Sequence, residues 1–308
     1  MKIIFMGTPE FALLSLKALD KSFNVELVVT QPDKPVGRKK EILLSPVKKY
    51  CVEKGLKYLQ PEKLKNNTDF IENIKEINPD LICVAAYGKI LNNEILNIPK
   101  IGCINIHASL LPKFRGAAPI NRAIINGEKE TGITLMKMDI GMDTGDIISQ
   151  SKIQIHNEDT TLTLTNKLAE IGANEIVKLV NRFRDGLNVA YNKQNNDEAT
   201  MAPKMCKEDG RINWKSKFSR INSLIRGCNP WPIAHTTLEG TMVKVYKIKP
   251  HNSEKILEGN IKKINGSMVV GCNDLNIEIL EIQKSGQKKI SGIDFINGIS
   301  KIENPHFT

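Results

Sequence analysis

Three short apolar segments near the start of the chain constrain its fold more than any other feature. They cover residues 2–6, 25–29 and 80–86, and leucines at helical spacing lie between the first two. The continuous apolar character of the third segment is typical of a strand that is buried on both faces of a parallel sheet. A strand, a turn, a helix and a second strand in this order predict the start of a mostly parallel, Rossmann-like α/β sheet.

The turn after the first strand limits what this sheet can bind. It contains one glycine, Gly7. It therefore matches neither the Gly-x-Gly-x-x-Gly fingerprint of dinucleotide-binding proteins nor the phosphate loop that ends in Gly-Lys-Ser/Thr. The sequence predicts a Rossmann-like architecture without implying a bound dinucleotide.

A segment rich in polar side chains, residues 101–122, contains the first candidate site. Asn105 and His107 are two positions apart, so in a strand they point to the same side of the sheet, while Ile104 and Ile106 point to the other side. Pro112 lacks an amide hydrogen and ends the strand. This pattern is typical of a strand whose end enters a cleft.

A second polar cluster, residues 138–146, contains Asp143 between Gly141 and Gly145. The alternating residues 131–138 precede it and predict a strand beside the one that carries His107. An amide, an imidazole and a carboxylate can supply an oxyanion donor, a proton carrier and an orienting group, which suits acyl-type transfer. Spacing alone is also compatible with a structural or surface histidine.

The last third of the chain has a different pattern. Residues 186–203 are polar and have no clear period, which indicates a linker. We expect one domain over 1–188, a linker over 189–204 and a second domain over 205–308. Short alternating runs predict a small β-barrel in the second domain, at 233–238, 242–248, 256–264, 267–270 and 275–282. Ser45 and Pro46 are typical of a helix start and predict a helix at 45–55. Further helices are predicted at 68–77, 118–126, 162–183 and 216–228.

Positive charge is concentrated toward the end of the chain. The formal net charge is +10, and residues 201–308 contribute +7 of it from 17 basic and 10 acidic residues. This distribution is compatible with a polyanionic partner such as nucleic acid, and equally with a lysine-rich surface. Residues 31–46 form a predicted long loop that contains the basic run beginning at Arg38, and long loops are often functional.

The six cysteines form no Cys-x-x-Cys pair, and no histidine stands at zinc-finger spacing, so we expect no metal site. The pattern favours a reducing, cytoplasmic location. No signal-peptide profile and no apolar run of about 18 residues is present, and we expect no association with a membrane.

The sequence resembles the folate-dependent formyltransferases, and among them those that act on methionyl-tRNA, over essentially its whole length. Besides the segments around His107 and Asp143, the resemblance depends on four motifs: Gly7-Thr8-Pro9-Glu10-Phe11, Gln31-Pro32-Asp33-Lys34-Pro35, Ser45-Pro46-Val47-Lys48 and Asn229-Pro230-Trp231-Pro232. It supports a small barrel of the OB type at the C-terminus. It also implies that residues 1–188 are catalytic and that residues 205–308 bind tRNA.

The resemblance implies transfer of a formyl group from 10-formyltetrahydrofolate to the methionine amino group of initiator tRNA, in translation initiation, by a monomer. Asn105, His107 and Asp143 would be the catalytic residues. Asn105 would donate to the reacting oxygen with help from protonated His107. Arg38 would contact tRNA. The folate would contact Ser109, Leu110, Leu111 and Pro112.

Three other functions compete with this interpretation. A formyltransferase for a small amine, such as a nucleotide sugar or glycinamide ribonucleotide, would need the same three residues. A hydrolase of 10-formyltetrahydrofolate would also share the chemistry, but the chain has no attached dehydrogenase domain. An RNA-binding protein without enzymatic activity would keep the basic barrel, but it would have no reason to gather Asn105, His107 and Asp143 around one cleft.

Overall fold

The computed structural model describes residues 1–36 and 41–308. Arg38 therefore lies outside the described residues. Two compact units are formed, unit 1 from Met1–Pro119, Glu130–Gln154 and Thr165–Pro203, and unit 2 from Ile120–Lys129, Ile155–Leu164 and Lys204–Thr308. Most of the predicted linker thus groups with unit 1, and the domain boundaries stay predictions. None of the helices in the described ranges has both the length and the hydropathy that a membrane span requires.

A seven-stranded sheet forms the centre of unit 1, with the order β5-β2-β1-β6-β7-β8-β9. The described strands of this unit are β1 (Lys2–Gly7), β2 (Asn24–Val29), β3 (Lys34–Val36), β4 (Glu41–Leu43), β5 (Tyr58–Leu59), β6 (Leu81–Ala85), β7 (Gly102–His107), β8 (Glu130–Lys137) and β9 (Ile147–Gln154). Pairing is parallel from β5 to β7 and antiparallel from β7 to β9. The prediction of a mostly parallel α/β sheet is confirmed.

Apart from α4 (Asn93–Leu96), which was not predicted, the helices up to residue 184 agree closely with the predicted ones. They are α1 (Glu10–Ser22), α2 (Pro46–Lys54), α3 (Thr68–Ile77), α4 (Asn93–Leu96), α5 (Pro119–Asn126) and α6 (Thr161–Arg184). Helix α2 shows why the sequence signal was clear. The Ser45 side chain accepts a hydrogen bond from the Lys48 amide, Pro46 occupies the first turn, and Gly55 ends the helix at φ 68°.

The two faces of β7 have different environments. Cys103 belongs to a buried cluster that includes Phe70 of α3 and Ile95 of α4. Ile106 points the other way, toward α6, where a Cβ on Gly172 would lie 2.9 Å from its Cγ2 atom. The alternation predicted for this strand is therefore confirmed. Asn105 and His107 follow Cys103 on the same face, at the carboxyl end of the strand.

The predicted loop over residues 31–46 is not a loop throughout. Strands β3 and β4 pair antiparallel, with Lys34 opposite Leu43 and Val36 opposite Glu41. They form a separate two-stranded sheet. Pro35 masked this hairpin in the sequence because proline cannot donate to a ladder, yet proline is tolerated where a strand has a free edge.

Unit 2 is built on an antiparallel half-barrel with the order β10-β11-β14-β13-β12, and β15 pairs with β14. Its strands and remaining helices are α7 (Phe218–Gly227), β10 (His235–Leu238), β11 (Thr241–His251), β12 (Ile261–Ile264), β13 (Ser267–Gly271), β14 (Asn276–Lys284), β15 (Ile290–Ser291) and α8 (Gly292–Gly298). This architecture confirms the predicted class of the C-terminal domain.

In unit 2 one helix was not predicted, and one predicted strand was wrong in its start. Helix α8 was not expected. The strand predicted over 256–264 begins only at Ile261, because the backbone amide of Ile256 donates to the side chain of Asn276 instead of joining a strand ladder. A single side-chain hydrogen bond of this kind leaves no periodic signal in the sequence.

Candidate active site

The structure brings the three predicted catalytic side chains together in unit 1. Asn105 and His107 lie at the carboxyl end of β7, and Asp143 lies in the loop between β8 and β9. The Asn105 Nδ2 atom donates to Asp143 Oδ1 at 3.3 Å. The Nδ1 atom of His107 is 3.6 Å from Asp143 Oδ2. One carboxylate therefore contacts both an amide and an imidazole.

His107 is only 6% exposed, and both of its ring nitrogens face oxygen atoms. Nε2 lies 3.0 Å from the carbonyl oxygen of Phe114. A carbonyl can only accept, so Nε2 carries a proton, and the imidazolium form donates at both nitrogens. While these contacts hold, His107 has no N–H directed at a substrate. The expectation that protonated His107 helps Asn105 at the reacting oxygen stays a prediction.

Asp143 has a backbone conformation that few side chains adopt, with φ 55°. Asp is among the residues that tolerate this left-handed region. Its carboxylate accepts a hydrogen bond from the Gly116 amide at 2.8 Å. The loop also lies close against β8, because a Cβ on Gly145 would be 1.8 Å from the carbonyl oxygen of Lys137. Two bracketing glycines were the sequence signal for this close approach.

Gln194 is a functional candidate that sequence reasoning missed. Its Nε2 atom donates to the carbonyl oxygens of Asp143, at 2.9 Å, and of Gly145, at 2.7 Å. The residue lies in the segment interpreted as a linker, where polar composition without a period gave no indication of a contact. The partners are about 50 positions away in the sequence, so only the folded chain reveals the contact.

Arg115 lies in the polar segment 101–122, and no role was predicted for it. It is 6% exposed, and its Nη2 atom donates to Gln194 Oε1 at 2.8 Å and to Asn196 Oδ1 at 2.9 Å. Its backbone amide donates to Thr200, and its carbonyl accepts from Ala202. The supposed linker is therefore bonded to the segment that also provides Phe114 O to His107 and Gly116 N to Asp143.

The turn predicted to bind folate is held mainly by internal bonds. Ser109 is fully buried, and its hydroxyl donates to the carbonyl of Lys113 at 2.6 Å. Leu111 is 3% exposed, its amide donates to Thr134 Oγ1, and its carbonyl accepts from the Gln150 amide. The peptide bond between Leu111 and Pro112 is cis. Leu110 and Pro112 are the half-buried members of the turn.

A polar network joins the ends of β2 and β6. Gln31 Nε2 donates to the Tyr87 carbonyl at 2.9 Å, and Gln60 donates both to Gln31 O and to Asp33. Asp33 also forms an ion pair with Lys48, whose hydrogen bond lowers the pKa of the Asp33 carboxyl. These contacts connect the turn after β6 to the end of β2, and the end of β2 to α2.

Tyr87 begins this turn and is 2% exposed. Its hydroxyl has no hydrogen-bond partner among the described residues. Burial raises the pKa of the phenol to about 12, so the side chain is neutral near pH 7. Within the described part of the chain, no group of His, Cys, Asp and Glu residues is arranged to hold a metal ion.

Solved structures share this fold. HypX from Aquifex aeolicus matches with a TM-score of 0.64 at 17% identity, over 98% of this chain and 49% of that one. WlaRD, a sugar 3N-formyl transferase solved in the presence of dTDP and 5-N-formyl-THF, matches with a TM-score of 0.66 at 22% identity, over 94% of this chain and 99% of that one. At these identities the similarity concerns the fold alone.

Sequence comparisons are more specific. A methionyl-tRNA formyltransferase from Caldanaerobacter subterraneus subsp. tengcongensis is 48% identical over 302 residues, which cover 97% of each chain. One from Thermodesulfovibrio yellowstonii is 46% identical over 96% of this chain and 95% of its own. The formyl transferase family model matches residues 1–180, and the formyl transferase C-terminal domain model matches residues 204–300. The chain therefore belongs to the formyl transferase family.

Proposed function

We propose that this protein transfers the formyl group of 10-formyltetrahydrofolate to the amino group of methionine on initiator tRNA, and so supports translation initiation. The observation that carries the proposal is the convergence of Asn105 and His107 on the carboxylate of Asp143 at one strand end. A neutral amide donor, an imidazole and a carboxylate fit a formyl donor, because attack on a formyl carbon develops negative charge on its oxygen.

The choice of acceptor is supported by the relatives and by the charge of the chain. Relatives at 48% and 46% identity over nearly their whole length are methionyl-tRNA formyltransferases. Residues 201–308, which form most of unit 2, carry a net charge of +7. Positive charge of this kind attracts the phosphates of tRNA, whereas a small amine does not require it. Arg38 is a candidate tRNA contact.

Asn105 donates a hydrogen bond to the formyl oxygen. One of its two amide hydrogens is directed at Asp143 Oδ1, and the other is available for a substrate. Because Asp143 and β7 hold the amide in place before the reaction, little reorganisation is needed when negative charge develops. A single preorganised donor of this type typically contributes about 3–4 kcal/mol.

The reaction also requires transfer of the amine proton, which we assign to Asp143, with His107 beside it. The acceptor amine attacks in its unprotonated form, which is available near neutrality because an α-amino group has a pKa of about 8. Asp143 orients the imidazole and helps to relay the amine proton toward the leaving folate nitrogen, through water where a direct path is too long. The positions of Phe114 O and Asp143 keep the ring in one orientation during this transfer.

The turn after β7 is proposed to contact the folate. Ser109, Leu110, Leu111 and Pro112 form the folate side of the site, and direct contact falls to Leu110 and Pro112, since the other two are buried and internally bonded. A monomer in the cytoplasm agrees with this function, and all six cysteines are free thiols.

One assay tests the proposal. Purified protein is given 10-formyltetrahydrofolate and charged initiator Met-tRNA. The product is then measured as formylmethionine, which hydrolysis of the ester releases from the tRNA. A nucleotide amino sugar and glycinamide ribonucleotide are offered in parallel reactions. We expect product only with the tRNA. Formylation of a small amine at a comparable or higher kcat/KM, or release of formate without an acceptor, would contradict the assignment.

A further inference from the structure

The side-chain amide of Gln194 faces two different kinds of group. On one side, Arg115 Nε and Nη2 donate to its oxygen at 3.1 and 2.8 Å. On the other side, its nitrogen donates to the carbonyls of Asp143 and Gly145 at 2.9 and 2.7 Å. Arginine can only donate and carbonyls can only accept, so the orientation of the amide is dictated by its partners. The oxygen of this amide thus accepts two hydrogen bonds from protein, and its nitrogen donates two.

The contact with Asp143 bears on the candidate catalytic residues. Asp143 has φ 55°, a conformation that neighbouring contacts must maintain. The backbone carbonyl of Asp143 accepts a hydrogen bond from Gln194, and its carboxylate accepts one from the Gly116 amide. With both ends fixed, the carboxylate reaches Asn105 and His107. Loss of the Gln194 contact frees the backbone end while leaving every atom of the three catalytic candidates in the chain.

Arg115 in turn keeps Gln194 in place. The guanidinium is buried, and its acceptors among the described residues are the neutral side-chain amides of Gln194 and Asn196. A buried cation strongly favours hydrogen-bonded partners, because leaving it unsatisfied is costly. In a single position, Gln194 therefore forms hydrogen bonds both with Arg115 and with the Asp143 loop.

We propose that Gln194 is a positioning residue for Asp143, and that Arg115 fixes Gln194 in that role. Substrate need not contact either residue. The segment around Gln194 is then the outer support of the active site, although its composition suggests a linker. This inference rests on the proposed function, because it concerns the efficiency of the same site.

Gln194→Glu is the most informative variant. A carboxylate keeps the acceptor for Arg115 and adds an ion pair, so folding is preserved. It removes both N–H groups and sets negative charge against the carbonyls of Asp143 and Gly145. We expect kcat to fall at least tenfold, with KM for both substrates within threefold and the thermal midpoint close to wild type. Asn195→Ala is the control, since Asn195 is exposed and caps a 3-10 turn in the same segment.

A double-mutant cycle separates positioning from a general structural effect. If Gln194 acts through Asp143, adding Gln194→Glu to Asp143→Asn lowers kcat by less than twofold beyond the loss in the single Asp143 variant. A merely structural role gives losses that multiply. Multiplicative losses, or a Gln194→Glu enzyme with wild-type kcat, would overturn the inference.

A measurement without substrate tests the positioning role separately from the proposed function. The ring nitrogens of His107 are observed by ¹⁵N NMR in histidine-labelled protein, and they are assigned by their disappearance in His107→Gln. We expect Gln194→Glu to shift these signals and Asn195→Ala to leave them unchanged. If the wild-type protein fails to formylate Met-tRNA, the proposed function is wrong, and unchanged His107 signals in Gln194→Glu would still reject the positioning role.

Discussion

Asp143 shows how much one residue position depends on its surroundings. Its carboxylate accepts from Asn105 and Gly116, and it lies 3.6 Å from His107. Its backbone occupies the left-handed region, which costs of order 1–3 kcal/mol when a residue other than glycine adopts it. Strain of this kind persists only where neighbouring contacts outweigh it, and such positions cluster at functional sites.

At the residue scale, Asn105→Ala tests the proposed oxyanion donor. We expect kcat to fall roughly 100- to 1,000-fold, because one preorganised hydrogen bond to the developing charge is lost. The KM for tRNA changes little, since the contact strengthens only as the charge forms. Single-turnover formylation rates measure the effect. Asn97→Ala, at an exposed helix end, is the control, and a rate within threefold of wild type would exclude the proposed role of Asn105.

At the scale of elements, the site depends on the packing of α6 beneath β7. Gly172 lets the helix approach so closely that an added Cβ would lie 2.9 Å from Ile106 Cγ2 and 3.8 Å from Ile133 Cδ1. Ile106 lies between Asn105 and His107 in β7. Any displacement of this strand therefore moves the catalytic candidates.

Gly172→Ala is accordingly expected to lower the free energy of unfolding by about 1–3 kcal/mol, the usual range for overpacking a core. Activity at low temperature should fall as well, because β7 shifts. Denaturant unfolding with wild-type and variant protein measures the first effect. Gly298→Ala is the matched control: an added Cβ there meets nothing within 4 Å, so its unfolding free energy should be unchanged or slightly higher. Equal effects from both substitutions would refute the close-packing explanation.

The link between α2 and the end of β2 predicts a pH dependence of stability. A hydrogen bond from Lys48 lowers the pKa of Asp33 in the folded state. The charged carboxyl therefore stabilises the fold at pH values above its unfolded pKa of about 3.9, and this contribution is lost as the pH falls below that value. We expect Asp33→Asn to be less stable than wild type at pH 7, with a smaller difference at pH 3.

Denaturant unfolding at both pH values measures this change. Glu72→Gln, which alters an exposed carboxyl on α3, is the control and should show no comparable convergence with wild type at acid pH. A constant difference between wild type and Asp33→Asn from pH 7 to pH 3 would show that the ion pair with Lys48 does not stabilise the fold.

At the scale of the whole molecule, charge and chemistry are separated along the chain. The candidate catalytic residues lie in unit 1, whereas +7 of the net charge of +10 belongs to residues 201–308. The C-terminal domain model covers residues 204–300 of this basic region. Such a division suits an enzyme that acts at one end of a large polyanion and uses a second surface to bind the rest of it.

Salt should therefore affect the two substrates differently. When salt rises from about 50 to 200 mM, we expect KM for Met-tRNA to increase roughly tenfold or more, because phosphate contacts weaken steeply with salt. KM for 10-formyltetrahydrofolate should change by less than about twofold. Initial rates at fixed pH give both values. A tRNA KM that is as insensitive to salt as the folate KM would argue against phosphate binding by the basic region.

Much of the architecture was predictable because the signals are local. The apolar runs predicted β1, β2 and β6. Ser45, which precedes α2, and Pro46, its first residue, predicted the start of that helix. The spacing of Asn105 and His107 predicted their common face in β7. Three features were missed because their periodic pattern is hidden. Proline hides the hairpin of β3 and β4, and α8 is short. The late start of β12 follows a hydrogen bond that the side chain of Asn276 accepts from the Ile256 amide.

The sequence alone was sufficient to identify Asn105, His107 and Asp143 as catalytic candidates, since residue type and strand periodicity are properties of a few consecutive residues. It was not sufficient to identify Gln194 or the buried Arg115, or to orient His107 between Phe114 and Asp143. Those contacts join positions up to about 80 residues apart. Hydrogen bonds across such separations exist only after the sheet and its loops have packed, so their geometry belongs to the folded molecule.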